Sequence, residues 1–188
     1  MLNQNEELTS QCELNFANAI FLRRTVLPVA YITGHKEFFG YDFIVSPDVL
    51  IPKPDTEILV EKAIDYIKEK VFANPNKILT ICDMCTGSGA IAISLSKLIE
   101  NASVSASDIS DGALNVAKEN AILNKVDIDF INTNIYENID NKFDVVISNP
   151  PYIAYDEEIM DIVKNNEPHL ALYAEDEGLY FYKKITII

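Results

Sequence analysis

The chain's 188 residues are 48% hydrophobic and 23% charged, a balance that fits one well-buried globular domain and argues against disorder. Its 15 Lys and Arg against 29 Asp and Glu give a formal net charge of −14, which repels a phosphate backbone and disfavours nucleic acid as a substrate. No apolar run approaches the roughly 18–20 residues of a membrane span, and the polar start has neither the basic nor the apolar region of a signal peptide, so a cytoplasmic location is expected.

In chain order, residues 13–27 carry Leu14, Ala17, Phe21 and Leu22 at helical spacing and stop before Pro28, which predicts one helix. Two short apolar runs, 37–39 and 43–45, flank Gly40-Tyr41-Asp42 and predict a β-hairpin. Pro52 and Pro54 precede Asp55-Thr56-Glu57, and Ile58, Leu59, Ala63, Ile64 and Ile67 mark one face of a helix with Asp55 or Thr56 as its expected N-cap.

From Ile78 onward the rhythm changes. Apolar runs at 78–82, 104–106, 128–131 and 143–147 alternate with helical stretches at 90–99 and 111–123, the pattern of crossover units and a parallel sheet. A final helix is expected to begin near Leu179. Four strands would leave the 145–147 strand at an edge, so the chain reads as unfinished at its C-terminal end.

The three cysteines, Cys12, Cys82 and Cys85, do not form a disulfide framework, and the Cys82/Cys85 pair has no second pair at zinc-ligand spacing. No metal is expected, and His35 and His169 read as surface residues.

Two segments carry chemistry. Ile81-Cys82-Asp83 runs into Met84-Cys85-Thr86-Gly87-Ser88-Gly89 and then a helix, a turn whose glycines let backbone approach a ligand while the helix N-terminus offers N–H groups to an anion. Asp108, at the end of the next strand, is placed to accept hydrogen bonds from a ribose diol. Together they describe a nucleoside site. The bland alternative gives the glycines a packing role and Asp108 a capping role with Ser110. A dinucleotide enzyme is set aside because Ile91 and Ala92 follow where a third glycine would complete the usual fingerprint.

The second segment is Asn149-Pro150-Pro151-Tyr152, delivered by the apolar run 143–148 to the end of the sheet where open α/β folds bind ligands. The prolines fix two φ angles and keep Asn149 out of the helical region. The Asn149 side-chain oxygen and the Pro150 carbonyl can each accept one proton of a planar NH2 group, turning its delocalised lone pair toward an electrophile. Tyr152 can stack on the planar group. No histidine or carboxylate base is needed, because the proton can leave after transfer. The alternative is that two prolines merely stop a strand.

These motifs, with Pro28-Val29-Ala30-Tyr31-Ile32-Thr33-Gly34, Glu37-Phe38-Phe39-Gly40 and the block from Val49 to Glu57, make the chain resemble the release factor glutamine methyltransferases over residues 28–184. That family methylates N5 of a glutamine in class I peptide chain release factors, with S-adenosyl-L-methionine as donor. The resemblance implies an α/β fold with a doubly wound, mostly parallel, Rossmann-like sheet of the class I methyltransferases, lacking its C-terminal strands and preceded by a short helix and a hairpin. It implies a helical segment over 1–27, the remnant of a substrate-recognition domain, and a methyltransferase domain over 28–188.

Carried over position by position, the resemblance assigns cofactor contacts to Cys85, Thr86, Gly87, Ser88, Gly89, Asp108, Ile135 and Asn149. It assigns the glutamine to Asn149, Pro150, Pro151 and Tyr152, with Asn149, Pro150 and Tyr152 as the catalytic set. The family usually has glycine where Cys85 stands. A nucleic-acid adenine methyltransferase shares the Asn149 motif but is countered by the −14 charge and the Pro52 to Glu57 block. A cofactor-binding fragment without turnover is the third reading.

Overall fold

The computed structural model describes residues 8–137, 139–140 and 142–186. Helix α1 (Ser10–Arg24) is capped by the Thr9 hydroxyl, which accepts from the Cys12 N–H at 3.3 Å. It ends three residues earlier than its apolar spacing suggests and buries none of its residues. A five-residue helix that the sequence did not announce, α2 (Val29–Thr33), follows Pro28, and its Tyr31 hydroxyl donates to the Val49 carbonyl at 2.6 Å.

The hairpin pairs β1 (His35–Phe38) with β2 (Tyr41–Ile44). Its turn is Phe39-Gly40 rather than 40–42, because Phe38 pairs directly with Tyr41 and the two loop residues take φ of 52° and 77°, as a two-residue type I′ turn requires. Helix α3 (Pro54–Ala73) starts earlier than expected, with Lys53 and not Asp55 or Thr56 as its N-cap. Proline is suited to the first helical position, where its missing N–H costs nothing, and this leaves Asp55 and Glu57 in the first turn at the positive end of the helix dipole. Glu57 then accepts the Phe39 N–H at 2.8 Å and ties the hairpin turn to α3.

Four parallel strands follow: β3 (Leu79–Met84), β4 (Ala102–Asp108), β5 (Asp129–Asn132) and β6 (Val145–Ser148). Helices α4 (Ala90–Leu98) and α5 (Asp111–Asn124) make the crossovers, and the spatial order is β5-β4-β3-β6. This is the α/β architecture of a doubly wound sheet, with β6 at an edge as the apolar pattern anticipated.

Successive side chains of β3 point to opposite faces of the sheet. Leu79 and Ile81 join a core with Val60, Ile64 and Ile67 of α3 and Ile91, Ile93 and Leu95 of α4. Cys82 and Met84 face Ile135, Tyr136 and two residues, Phe181 and Ile185, of α7 (Tyr180–Thr186). With both faces covered, β3 is an apolar run rather than an alternating strand.

Asn120 stitches the hairpin to this sheet. Fully buried on α5, it accepts the Ile44 N–H at 2.6 Å and donates to the carbonyls of Ile44 and Ser88, each at 2.9 Å. A four-residue helix, α6 (Asp161–Lys164), and a 3₁₀ turn at His169–Ala171 complete the fold; both are too short to leave a periodic signal. No helix among the described residues is long and apolar enough to cross a membrane.

Candidate active site

The chain builds outward from β3 to β4 and β5, then returns to add β6 on the other side of β3. The crevice at that reversal, beyond the carboxyl ends of β3 and β6, is where open α/β sheets take ligands. Met84 and Ser148 are paired at the ends of the two strands, and the Ser148 hydroxyl donates to the Met84 carbonyl at 2.5 Å. The next residues are Cys85 and Asn149, so the strand ends bring together the two segments singled out in the sequence.

The loop after β3 is held from beneath. Asp83 is fully buried, and its Oδ2 accepts from the Thr86 hydroxyl at 2.6 Å and the Ala92 N–H at 3.1 Å. Its Oδ1 is the one buried side-chain polar atom without a partner among the described residues. Desolvation, outweighing those two bonds, pushes the Asp83 carboxyl up to about 7. Burial likewise pushes the Cys82 and Cys85 thiols up to about 12, so neither is a thiolate nucleophile near neutral pH.

Cys85 adopts φ of 60°, in the left-handed region that favours glycine. Gly87 and Gly89 also have positive φ, but their surroundings differ. A Cβ on Gly87 would meet open space, whereas one on Gly89 would lie 3.1 Å from Ile93 and 3.2 Å from Ala117. Gly87 faces the crevice. Gly89 serves close packing.

Asp108 ends β4 and closes the other side of the loop, accepting from the Gly87 N–H at 2.9 Å and the Ser110 N–H at 3.0 Å. Burial raises its pKa above the usual carboxylate value, with the backbone N–H bonds opposing. The chain after β5 follows the same rim, because the Thr133 N–H donates to the Asp108 carbonyl at 3.0 Å and leaves Ile135 buried.

Two cavities open at this end of the sheet. The first, about 230 Å³, is bordered by Cys85, Thr86, Gly87, Ser88, Asp108 and Ile135, as well as Asn149 and Pro151. The second, about 250 Å³, is bordered by Tyr152, Ile153, Leu59 and Val163. Leu50, Lys53, Thr56, Asn149 and Ala171 border both. Of the residues singled out in the sequence, Gly89 and Pro150 border neither cavity, and Tyr152 borders only the second.

Asn149 therefore stands in the wall between the two chambers. Its Nδ2 donates to the Thr56 hydroxyl at 3.2 Å, while Pro150 and Pro151 are buried and Tyr152 is 55% exposed. Behind the motif, Ile153 exchanges backbone bonds with Leu172 and Ala174, and a Cβ on Gly178 would lie 2.2 Å from the Tyr152 carbonyl oxygen.

The same wall is braced by Glu167. Its carboxylate, 2% exposed, accepts from the Ile51 N–H at 3.0 Å and from Lys53 Nζ at 2.5 Å. Thr56 was read in the sequence only as a possible helix N-cap, and Glu167 and Asn120 were not singled out, because nothing local marks them. Asp83 did leave a signal, a lone acid inside an apolar strand.

The profile of the methyltransferase small domain family matches residues 62–170. The chain is similar to the release factor glutamine methyltransferase of Flavobacterium psychrophilum, 51% identical over 85% of this chain and 56% of that protein. A protein of the same name from Clostridium acetobutylicum is 42% identical over 98% of this chain and 65% of that protein. The chain thus spans between half and two thirds of the length of these relatives. Among solved structures, the ribosomal protein L11 methylase of Lactobacillus delbrueckii subsp. bulgaricus aligns with a TM-score of 0.43 and 33% identity, over 66% of this chain and 57% of that one. The family profile covers more than half of the chain, including the loop after β3, Asp108 and the Asn149 motif, and the chain belongs to the methyltransferase small domain family.

Proposed function

We propose that this chain binds S-adenosyl-L-methionine in the first cavity, beside the loop after β3, and transfers its methyl group to the side-chain amide nitrogen of a glutamine in a peptide chain release factor. The observation that carries this reading is the position of Asn149 in the wall shared by the two cavities. The names of the relatives support the choice of substrate.

The donor set fits the cofactor. A carboxylate offers about four lone-pair sites, so Asp108 keeps acceptor capacity for the ribose hydroxyls after taking the N–H groups of Gly87 and Ser110. The first turn of α4 has N–H groups without intrahelical partners, and its Ala90 and Ile91 border the cavity where a carboxylate would lie. Gly87 leaves room for close approach, and Ile109 and Ile135 offer apolar surface to an adenine. The bound cofactor supplies a methyl group on a sulfonium, which is already a good leaving group.

The chain's own part is alignment. The Asn149 Oδ1 and the Pro150 carbonyl accept the two protons of the glutamine amide, turn the nitrogen lone pair toward the first cavity and stabilise the positive charge that develops on nitrogen. The prolines keep this acceptor pair rigid, so little freedom is lost when the amide arrives. Tyr152, at the rim of the second cavity, covers the planar group. We further propose that residues 28–188 form the catalytic unit and that α1 belongs to a segment that engages the release factor.

Labelled S-adenosyl-L-methionine, offered with a release factor or with adenine-containing DNA, tests the proposal. Label on the release factor is the expected result. Label on the DNA alone would overturn the choice of acceptor, and label on neither would reduce the chain to a cofactor-binding unit.

A further inference from the structure

An asparagine that must accept protons from an NH2 group works in only one orientation. If its amide is turned over, two NH2 groups face each other, neither accepts, and the alignment is lost. Packing alone discriminates poorly, because the two ends of the amide are nearly the same size. The discriminating contact must be polar.

In this structure Asn149 Nδ2 is bonded to the Thr56 hydroxyl, whereas Oδ1 has no partner among the described residues and is not enclosed. Thr56 lies in the first turn of α3, ninety-three positions away in sequence, and borders both cavities beside Asn149. The turn that carries it has a second anchor besides the packing of α3 on the sheet. The Thr56 N–H donates to the Lys53 carbonyl at 3.0 Å, and Lys53 and Ile51 are both held by the buried Glu167 carboxylate.

We propose that Thr56 is the positioning residue for the transfer. Its hydroxyl holds the Asn149 amide by accepting from Nδ2, the orientation that leaves Oδ1 free for the incoming amide, which can only donate, and Glu167, through Lys53 and Ile51, keeps that hydroxyl in place. This rests on the functional reading above, which makes Asn149 Oδ1 an acceptor. Thr56 touches the asparagine and need not touch the substrate.

The test compares Thr56→Val, which keeps the shape and removes the hydroxyl, with Thr56→Ser, which keeps the hydroxyl. Thr56→Val is expected to lower kcat with a release factor about tenfold or more, as loss of one aligning hydrogen bond implies, while the Kd for S-adenosyl-L-methionine stays within about threefold. Thr56→Ser is expected to recover most of the loss. A second readout needs no turnover. In the wild type one of the two Asn149 side-chain amide protons should be shifted and slowed in exchange by its bond to Thr56, and in Thr56→Val both should take solvent-exposed values.

Loss of kcat with serine rescue and the amide change supports the proposal. An Asn149 amide unaltered by Thr56→Val, or wild-type kcat in that variant, overturns it. If the wild type methylates no release factor, the functional reading fails, and the amide protons still decide whether Thr56 orients Asn149. A thermal melt of each variant identifies misfolding, and the milder Thr56→Ser substitution then carries the comparison.

Discussion

Asp83→Asn should make the fold more stable at high pH, even though it removes a residue from the base of the cofactor loop. The side chain is fully buried, with two donors on Oδ2 and none on Oδ1. An asparagine oxygen can keep the Thr86 and Ala92 bonds, and no charge remains to be desolvated. The carboxyl has its pKa raised from 3.8 to about 7 in the folded chain. A group with a raised folded pKa binds its proton more tightly when folded, so its contribution is fully present below the unfolded value and is lost as pH rises through the folded one. At about 1.4 kcal/mol per pH unit, the wild type should lose roughly 2–3 kcal/mol relative to Asp83→Asn between pH 5 and pH 8. Urea unfolding of both proteins at several pH values, with matching slopes, measures that difference directly. A gap between the two that does not change with pH would show that burial of the Asp83 charge does not set this stability, as would a variant that falls behind the wild type at pH 8.

Two further substitutions probe the loop and the motif. Cys85→Gly relieves a left-handed residue, worth about 1–2 kcal/mol, but adds about 0.5–1 kcal/mol of backbone entropy cost and loses the thiol's contacts, so stability should barely change. Cofactor affinity should rise because bulk leaves the cavity wall, and calorimetry giving equal or weaker binding would contradict this. Gly178→Ala puts a methyl 2.2 Å from the Tyr152 carbonyl oxygen and must displace the 152–154 backbone. Methyl transfer should fall at least tenfold with cofactor affinity retained, as the positional sensitivity of aligned reactants implies. Steady-state kinetics equal to the wild type would show that the close approach has no catalytic consequence.

The sheet was legible in the sequence because its strands are short apolar runs separated by full-length helices, a pattern that local residues write by themselves. Strand order was not, since the return of β6 to the free side of β3 depends on contacts across the whole domain. Boundaries moved where one local rule outranked another: Pro54 took the first helical position and displaced the expected cap at Asp55 or Thr56, and the tight turn at Phe39 set the hairpin register. The Asn149 motif and the loop from Cys85 to Gly89 stood out because each is contiguous. Thr56, Asn120 and Glu167 act at sequence separations of 93, 76 and 116, where spacing carries no information. Gly87 and Gly89 look alike in the sequence and differ only in what a Cβ would meet.

The role proposed for Asn149, between the two cavities, is to align a glutamine amide for methylation. It is tested most directly by mass spectrometry of a release factor incubated with S-adenosyl-L-methionine and either the wild type or Asn149→Ala, with cofactor binding of both proteins measured by calorimetry. The expected result is one added methyl on a glutamine side chain with the wild type, none with Asn149→Ala, and cofactor affinity partly retained in the variant. Equal methylation by both proteins would contradict it.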